Sequence, residues 1–278
     1  MPVSYCCLFP GATNGSELRS RFARFENTKV HYLTSGKGER ALIFVHGWAC
    51  NAESWRGQSG SFPSQRVIII DLPGHGESDK PHVDYTIDYF ARSIAAVMAD
   101  ARIKSAVLIG HSMGAPIVGH FYRLYPEKTL GLVIVDGAMR PFLPREAMER
   151  LVIQLRANYP AAAAQMIDQM LTPVRDPRLR SEIRAAMLST PDHVAISAMS
   201  GMADENAYEP GPMKVPVLAG LVKSHPWPTD IEQFLRSLAP RLELHMLDDV
   251  SHFLMMGKPR EFNQALQAFL SKNRLLEN

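Results

Sequence analysis

The chain has 278 residues, 46% of them hydrophobic and 21% charged, with 30 basic against 28 acidic side chains and a formal net charge of +2. No apolar stretch is long enough to cross a bilayer, and no Lys/Arg stripe is interleaved with aromatics, so a membrane span and a nucleic-acid-binding surface are both excluded. The length suits one large α/β core carrying an insertion.

The opening Met1–Phe9 is mildly apolar but has no basic segment before it, and its apolar run is short for a secretory signal. Residues 1–20 are expected to form a flexible leader. Three cysteines, Cys6, Cys7 and Cys50, make no disulfide framework and favour a reducing compartment, which points to a cytoplasmic location.

Alternating patterns over Arg21–Glu26 and Lys29–Thr34 predict two strands with a turn at Asn27-Thr28. The apolar runs Ala41–Val45, Val67–Ile70, Ala106–Ile109 and Leu132–Val135 predict strands buried on both faces. Val215–Leu221 and Leu242–Leu247 add two more. Helical spacing over Ile87–Ala101, Ala115–Tyr125 and Glu261–Leu270 places helices between these runs. Strand and helix alternate, so a mostly parallel sheet flanked by helices is expected. From about residue 140 to 212 the alternation stops. Pro144–Asn158, Ala161–Leu171 and Arg178–Leu188 read as helices punctuated by prolines. Residues 140–212 are therefore expected as a helical insertion, and residues 21–139 and 213–278 as the core.

The chemistry begins at Gly110-His111-Ser112-Met113-Gly114. A serine flanked by glycines two residues away on each side, directly after a strand and before a helix, fits a nucleophile elbow. The turn exposes the hydroxyl above the sheet, and the helix start offers free N–H groups. His46-Gly47-Trp48 follows the strand Ala41–Val45. The N–H groups of Trp48 and Met113 are the expected pair of oxyanion donors. Asp71–Ser78 reads as a compact structural turn. His252 follows the last strand, at the sheet edge where Ser112 also lies, and is the expected general base. His111 flanks the nucleophile but points away from it, and His225 is a weaker candidate.

These four segments, in this order, resemble the α/β-hydrolase fold superfamily over residues 25–272, outside the insertion. The resemblance implies an eight-stranded sheet, a helical cap after strand six and a Ser–acid–His triad. Relatives commonly carry the acid just beyond strand seven, but Val215–His225 holds no carboxylate. Asp136, at the end of strand six, is the favoured acid, with Asp230 as the alternative; Asp248 and Asp249 lie too close to His252 in sequence. The expected substrate is a small or medium, largely apolar carboxylic ester, hydrolysed through an acyl-enzyme on Ser112 in a pocket lined by His46, Gly47, Phe142, Phe253 and Met256. Perhydrolase or haloperoxidase-like chemistry, carbon–carbon bond hydrolysis and a weakly catalytic ligand receptor are the alternatives on the same site. No cofactor or metal is expected, since there is no H-E-x-x-H, Cys-x-x-Cys or dinucleotide fingerprint. The expected partner is a small-molecule substrate; the oligomeric state is open.

Overall fold

The computed structural model describes residues 18–208, 211–225 and 227–277. Cys6, Cys7 and most of the expected leader lie outside the described residues. Arg19 and Ser20, assigned to that leader, instead open the first strand, because they continue the antiparallel ladder with Thr34 and Leu33. No helix among the described residues is long and apolar enough to cross a membrane.

Eight strands form one sheet: β1 (Arg19–Phe25), β2 (Thr28–Ser35), β3 (Arg40–Val45), β4 (Arg66–Ile70), β5 (Ser105–His111), β6 (Thr129–Val135), β7 (Val217–Val222) and β8 (Leu242–Leu247). Their spatial order is β1-β2-β4-β3-β5-β6-β7-β8. β2 pairs antiparallel with β1 and β4, and every later neighbour is parallel. The continuous apolar runs behave as their composition demands. Ala41–Val45, Val67–Ile70 and Ala106–Ile109 are buried throughout, under helices on both faces. Each fully buried Val, Ile or Leu there contributes roughly 1.5–3 kcal/mol of hydrophobic stabilisation.

The helices that follow the strands are α1 (Ile87–Asp100) and α2 (Gly114–Leu124). Thr86 caps α1 by accepting the Tyr89 N–H. Between β6 and β7 the chain inserts α3 (Arg145–Ala157), α4 (Tyr159–Leu171), α5 (Pro177–Leu188) and α6 (Asp192–Gly201). Asn158 caps α4 and Asp176 caps α5, each with a proline in the first turn. The insertion docks on the core through side chains that satisfy loop carbonyls and N–H groups. Thr190 donates to Ala49 O, Trp48 Nε1 to Ala195 O, and the Tyr85 N–H to the Ser197 hydroxyl. α7 (Ile231–Leu238) leads into β8, and α8 (Leu254–Gly257) and α9 (Pro259–Lys272) close the fold.

This topology decides where chemistry can occur. The chain leaves β3 towards β4 on one side and β5 on the other, which opens a crevice at the strands' carboxyl ends. The loops after β3, β5, β6, β7 and β8 all emerge at that edge.

Candidate active site

Ser112 sits at the turn between β5 and α2 with φ of 53°, the left-handed region that non-glycine residues avoid. Close packing holds it there. A Cβ on Gly110 would lie 2.2 Å from Gly114 O, and one on Gly114 would lie 2.5 Å from Val45 O. The Ser112 N–H donates to Val135 O at 3.0 Å, which ties the turn to β6. The loop after β3 presses in from the other side: a Cβ on Gly47 would come within 3.0 Å of the Ser112 Cβ. Trp48 and Met113 are both buried, and their backbone N–H groups have no protein acceptor among the described residues. Met113 adjoins Ser112 at the start of α2, where N–H groups without a helical partner can donate to a ligand.

Asp136 follows β6, also in the left-handed region, at φ of 45°. Its N–H donates to Gly220 O and its Oδ1 accepts the Val222 N–H at 2.7 Å, so β7 fixes both ends of the residue. Its Oδ2 accepts from His252 Nδ1 at 2.7 Å. The same oxygen lies 3.0 Å from His225 Nδ1. Burial by itself would raise this carboxyl, but the hydrogen bonds from His225 and His252 outweigh it and hold the pKa at about 2. The group is a fixed anion at neutral pH.

His252 lies on the loop between β8 and α8 and is nearly buried. Its Nδ1–H is committed to Asp136, which leaves Nε2 as the basic atom. Its carbonyl accepts from His111 Nε2 at 2.9 Å, and the two rings lie 4.6 Å apart. His111 immediately precedes Ser112, so this bond ties the His252 loop to the Ser112 turn. Burial pushes His111 well below the ordinary histidine value, which keeps it neutral and suited to donate from Nε2.

The structure thus brings Ser112, His252 and Asp136 to one edge, with Trp48 and Met113 beside them. Asp230 is elsewhere. It starts α7, exposed, with its carboxylate paired to Arg140, whose hydrogen bond lowers it. Two of the expected pocket residues, His46 and Phe253, present no surface to a pocket. His46 is fully buried and acts as a structural pin, donating from Nδ1 to Gly47 O at 2.8 Å and accepting the Leu72 N–H at Nε2. Phe253 is buried against the His111 and His252 rings and offers no surface to a pocket. Phe142 is 48% exposed to solvent. Gly47 lies against Ser112 as described, and Met256 borders a cavity of about 190 Å³ with Cys50 and Met187, between the loop after β3 and α5. A larger groove of about 600 Å³ lies between the segment His82–Thr86 and α6, and none of its lining residues belongs to the Ser112 site.

Asp71 is the structural knot that the turn chemistry suggested. Its carboxylate is buried, accepts the Ala52 and Glu77 N–H groups and pairs with His31 Nδ1 at 2.7 Å. Two residues of the site escape a reading by motif. His111 has no signal beyond its place in the elbow. His225 does: it stands in the loop after β7, where the acid was sought and not found. Asp136, His225 and His252 have nitrogen and oxygen atoms within 4.8 Å of one another, a spacing that imidazole-to-carboxylate hydrogen bonds account for.

Residues 40–189 match the model of the alpha/beta hydrolase fold family. The chain belongs to the α/β-hydrolase family. It is 25% identical over 259 residues to the dihydrolipoyllysine-residue acetyltransferase component of the acetoin cleaving system of Pseudomonas putida, covering 86% of this chain and 65% of that protein. The chain thus spans about two thirds of that relative's length. Epoxide hydrolase 3 of Mus musculus is 27% identical over 279 residues, covering 87% of this chain and 74% of its own length. Among solved structures, a thermophilic esterase is 25% identical with a TM-score of 0.75, covering 92% of this chain and 99% of its own.

Proposed function

We propose that this α/β-hydrolase is a serine esterase acting on small or medium, largely apolar carboxylic esters. The observation that carries the reading is the buried, ionised Asp136 on His252 Nδ1, with the His252 loop tied to the Ser112 turn. In the mechanism, His252 Nε2 takes the Ser112 proton as Oγ attacks the ester carbonyl. The Trp48 and Met113 N–H groups receive the oxyanion. His252 then gives the proton to the leaving alcohol, and the acyl-serine is hydrolysed by a water that His252 deprotonates. Asp136 holds the Nδ1–H tautomer and stabilises the imidazolium.

The relatives divide between acyl chemistry and epoxide opening, and the nucleophile favours the former. Attack of a serine on an epoxide would leave an alkyl ether, which has no carbonyl for water to attack. Attack on an ester leaves another ester, which the same triad can cleave. The test is a fluorophosphonate probe. It is expected to label wild-type protein at Ser112 and to leave Ser112→Ala unlabelled; a wild type that resists labelling would overturn the assignment. An ester series of increasing acyl length then reads the pocket, with turnover expected to fall for long or charged acyl chains.

A further inference from the structure

One carboxylate oxygen serves two imidazoles. His252 and His225 both direct Nδ1 at Asp136 Oδ2, at 2.7 and 3.0 Å, and their rings lie 5.2 Å apart. Both Nδ1–H groups are committed to the same acceptor, so each histidine can take a further proton only at Nε2. The two sites differ in access to water. The His225 side chain is 31% exposed and the His252 side chain 9%. A cation is better solvated at His225. Trp227 Nε1 donates to Val222 O at 2.8 Å, and its ring meets the His225 ring edge-on at 5.6 Å.

We propose that His225 is a positioning residue that accepts the acid-side proton in place of His252, keeping the general base free as pH falls below neutral. The inference rests on the triad reading above. The hydrogen bond from His225 to Asp136 raises its affinity for that proton, with partial burial opposing. Few other charges bear on the pair. Asp136 is the charged group acting on His225 among the described residues. His111, against His252, is neutral; Lys223 on the same loop is paired with Asp248, and Asp249 with Arg175. Once His225 is a cation it offsets part of the Asp136 charge and sets a like charge about 5 Å from any proton arriving at His252. Like charges at that range separate two titrations by about 1 pH unit or more. The first proton therefore leaves His252 Nε2 open to the Ser112 proton, at some cost in basicity, and only the second fills it. Without His225, the first proton goes to the base itself.

The experiment measures the fluorophosphonate labelling rate of Ser112 from about pH 8 to about pH 5.5 in wild type, His225→Phe and His225→Gln, with circular dichroism confirming the fold at each pH. In both variants the acid limb is expected to move up by about 1 pH unit, so labelling at about pH 6, relative to each protein's own rate at about pH 8, falls up to about tenfold below wild type. Gln retains an N–H donor for Asp136 but cannot carry the proton. Restoration of the wild-type limb by Gln, or an unmoved limb in Phe, would overturn the proposal while leaving the serine-esterase reading intact. Failure of wild type to label takes down both. A second readout needs no turnover: imidazole proton resonances in Ser112→Ala should show His225 titrating at higher pH than His252, and the reverse order refutes the inference.

Discussion

Replacing Asp136 by Asn keeps the side chain's shape and removes its charge. His252 would lose the anion that stabilises its imidazolium, and kcat for a short ester is expected to fall by about 10³–10⁴, with KM little changed. Asp230→Asn should stay within about twofold of wild type, because that carboxylate faces solvent and Arg140. A large loss confined to Asp230→Asn would reverse the assignment. The neighbourhood of Ser112 offers a second test. Gly114 has no room for a methyl group, since its added Cβ would meet Val45 O at 2.5 Å. Gly114→Ala should lower stability by about 1–3 kcal/mol and weaken labelling, measured by urea titration and probe kinetics. At this scale sequence order said much and side-chain direction little. Ser112 and Asp136 stand at strand ends and His252 in the loop after β8, and strand ends are legible as the close of an apolar run. His46 stands at a strand end too, but a buried hydrogen bond to Leu72 turns it into the loop and away from any pocket. The Asp136–His225 contact depends on the fold of a loop held by Trp227, which no spacing rule describes.

Among the elements, the parallel strands were legible because burial on both faces leaves an uninterrupted apolar run. Strand β7 begins two residues later than the pattern Val215–Leu221 indicates, since Pro216 has no N–H to give the ladder. α7 and α6 escaped the reading for opposite reasons. α7 is eight residues long, with only Ile231, Leu235 and Leu238 buried to mark it. α6, the last α-helix of the insertion, is bonded to the core at Trp48 and Tyr85, and its buried residues, Val194, Ala195, Ala198 and Met199, include small and β-branched side chains that give no sharp stripe. That packing gives α6 a role: Ala195 O accepts the indole N–H of Trp48, in the loop after β3. Trp48→Phe keeps the backbone donor but removes the indole N–H that Ala195 O receives besides its helical bond. The expected cost is about 0.5–1.5 kcal/mol of stability, with a fall in kcat/KM as the loop loosens. Unchanged unfolding and kinetics in Trp48→Phe would show that the cap contact does not steady the loop.

For the whole molecule, three histidines set the lower edge of the usable pH range. His46, His75 and His111 are fully buried. Burial lowers all three, His75 to about 3, so each stays neutral in the folded protein. In the unfolded chain each takes a proton near pH 6.5. Below that pH the unfolded state binds more protons, so stability falls as pH falls, by up to about 1.4 kcal/mol per pH unit for each histidine. Together they approach about 4 kcal/mol per pH unit, against a total that is typically about 5–15 kcal/mol. Asp71 and Asp136 add nothing in this window. Their pKa values are lowered, so their stabilising contribution persists until pH drops below the ordinary carboxylate range. His225 works in the opposite direction, because its raised proton affinity favours the folded state as pH falls, but it is one partly exposed group against three buried ones. Urea titrations from about pH 7 to about pH 5 should therefore show stability dropping steeply, with about three protons taken up on unfolding, and His75→Phe should reduce that number by about one. A flat profile over the same range would mean that these histidines are protonated in the fold. The two effects meet in one window: His225 keeps the base free as pH falls, and the buried histidines decide how far it can fall before the fold is lost.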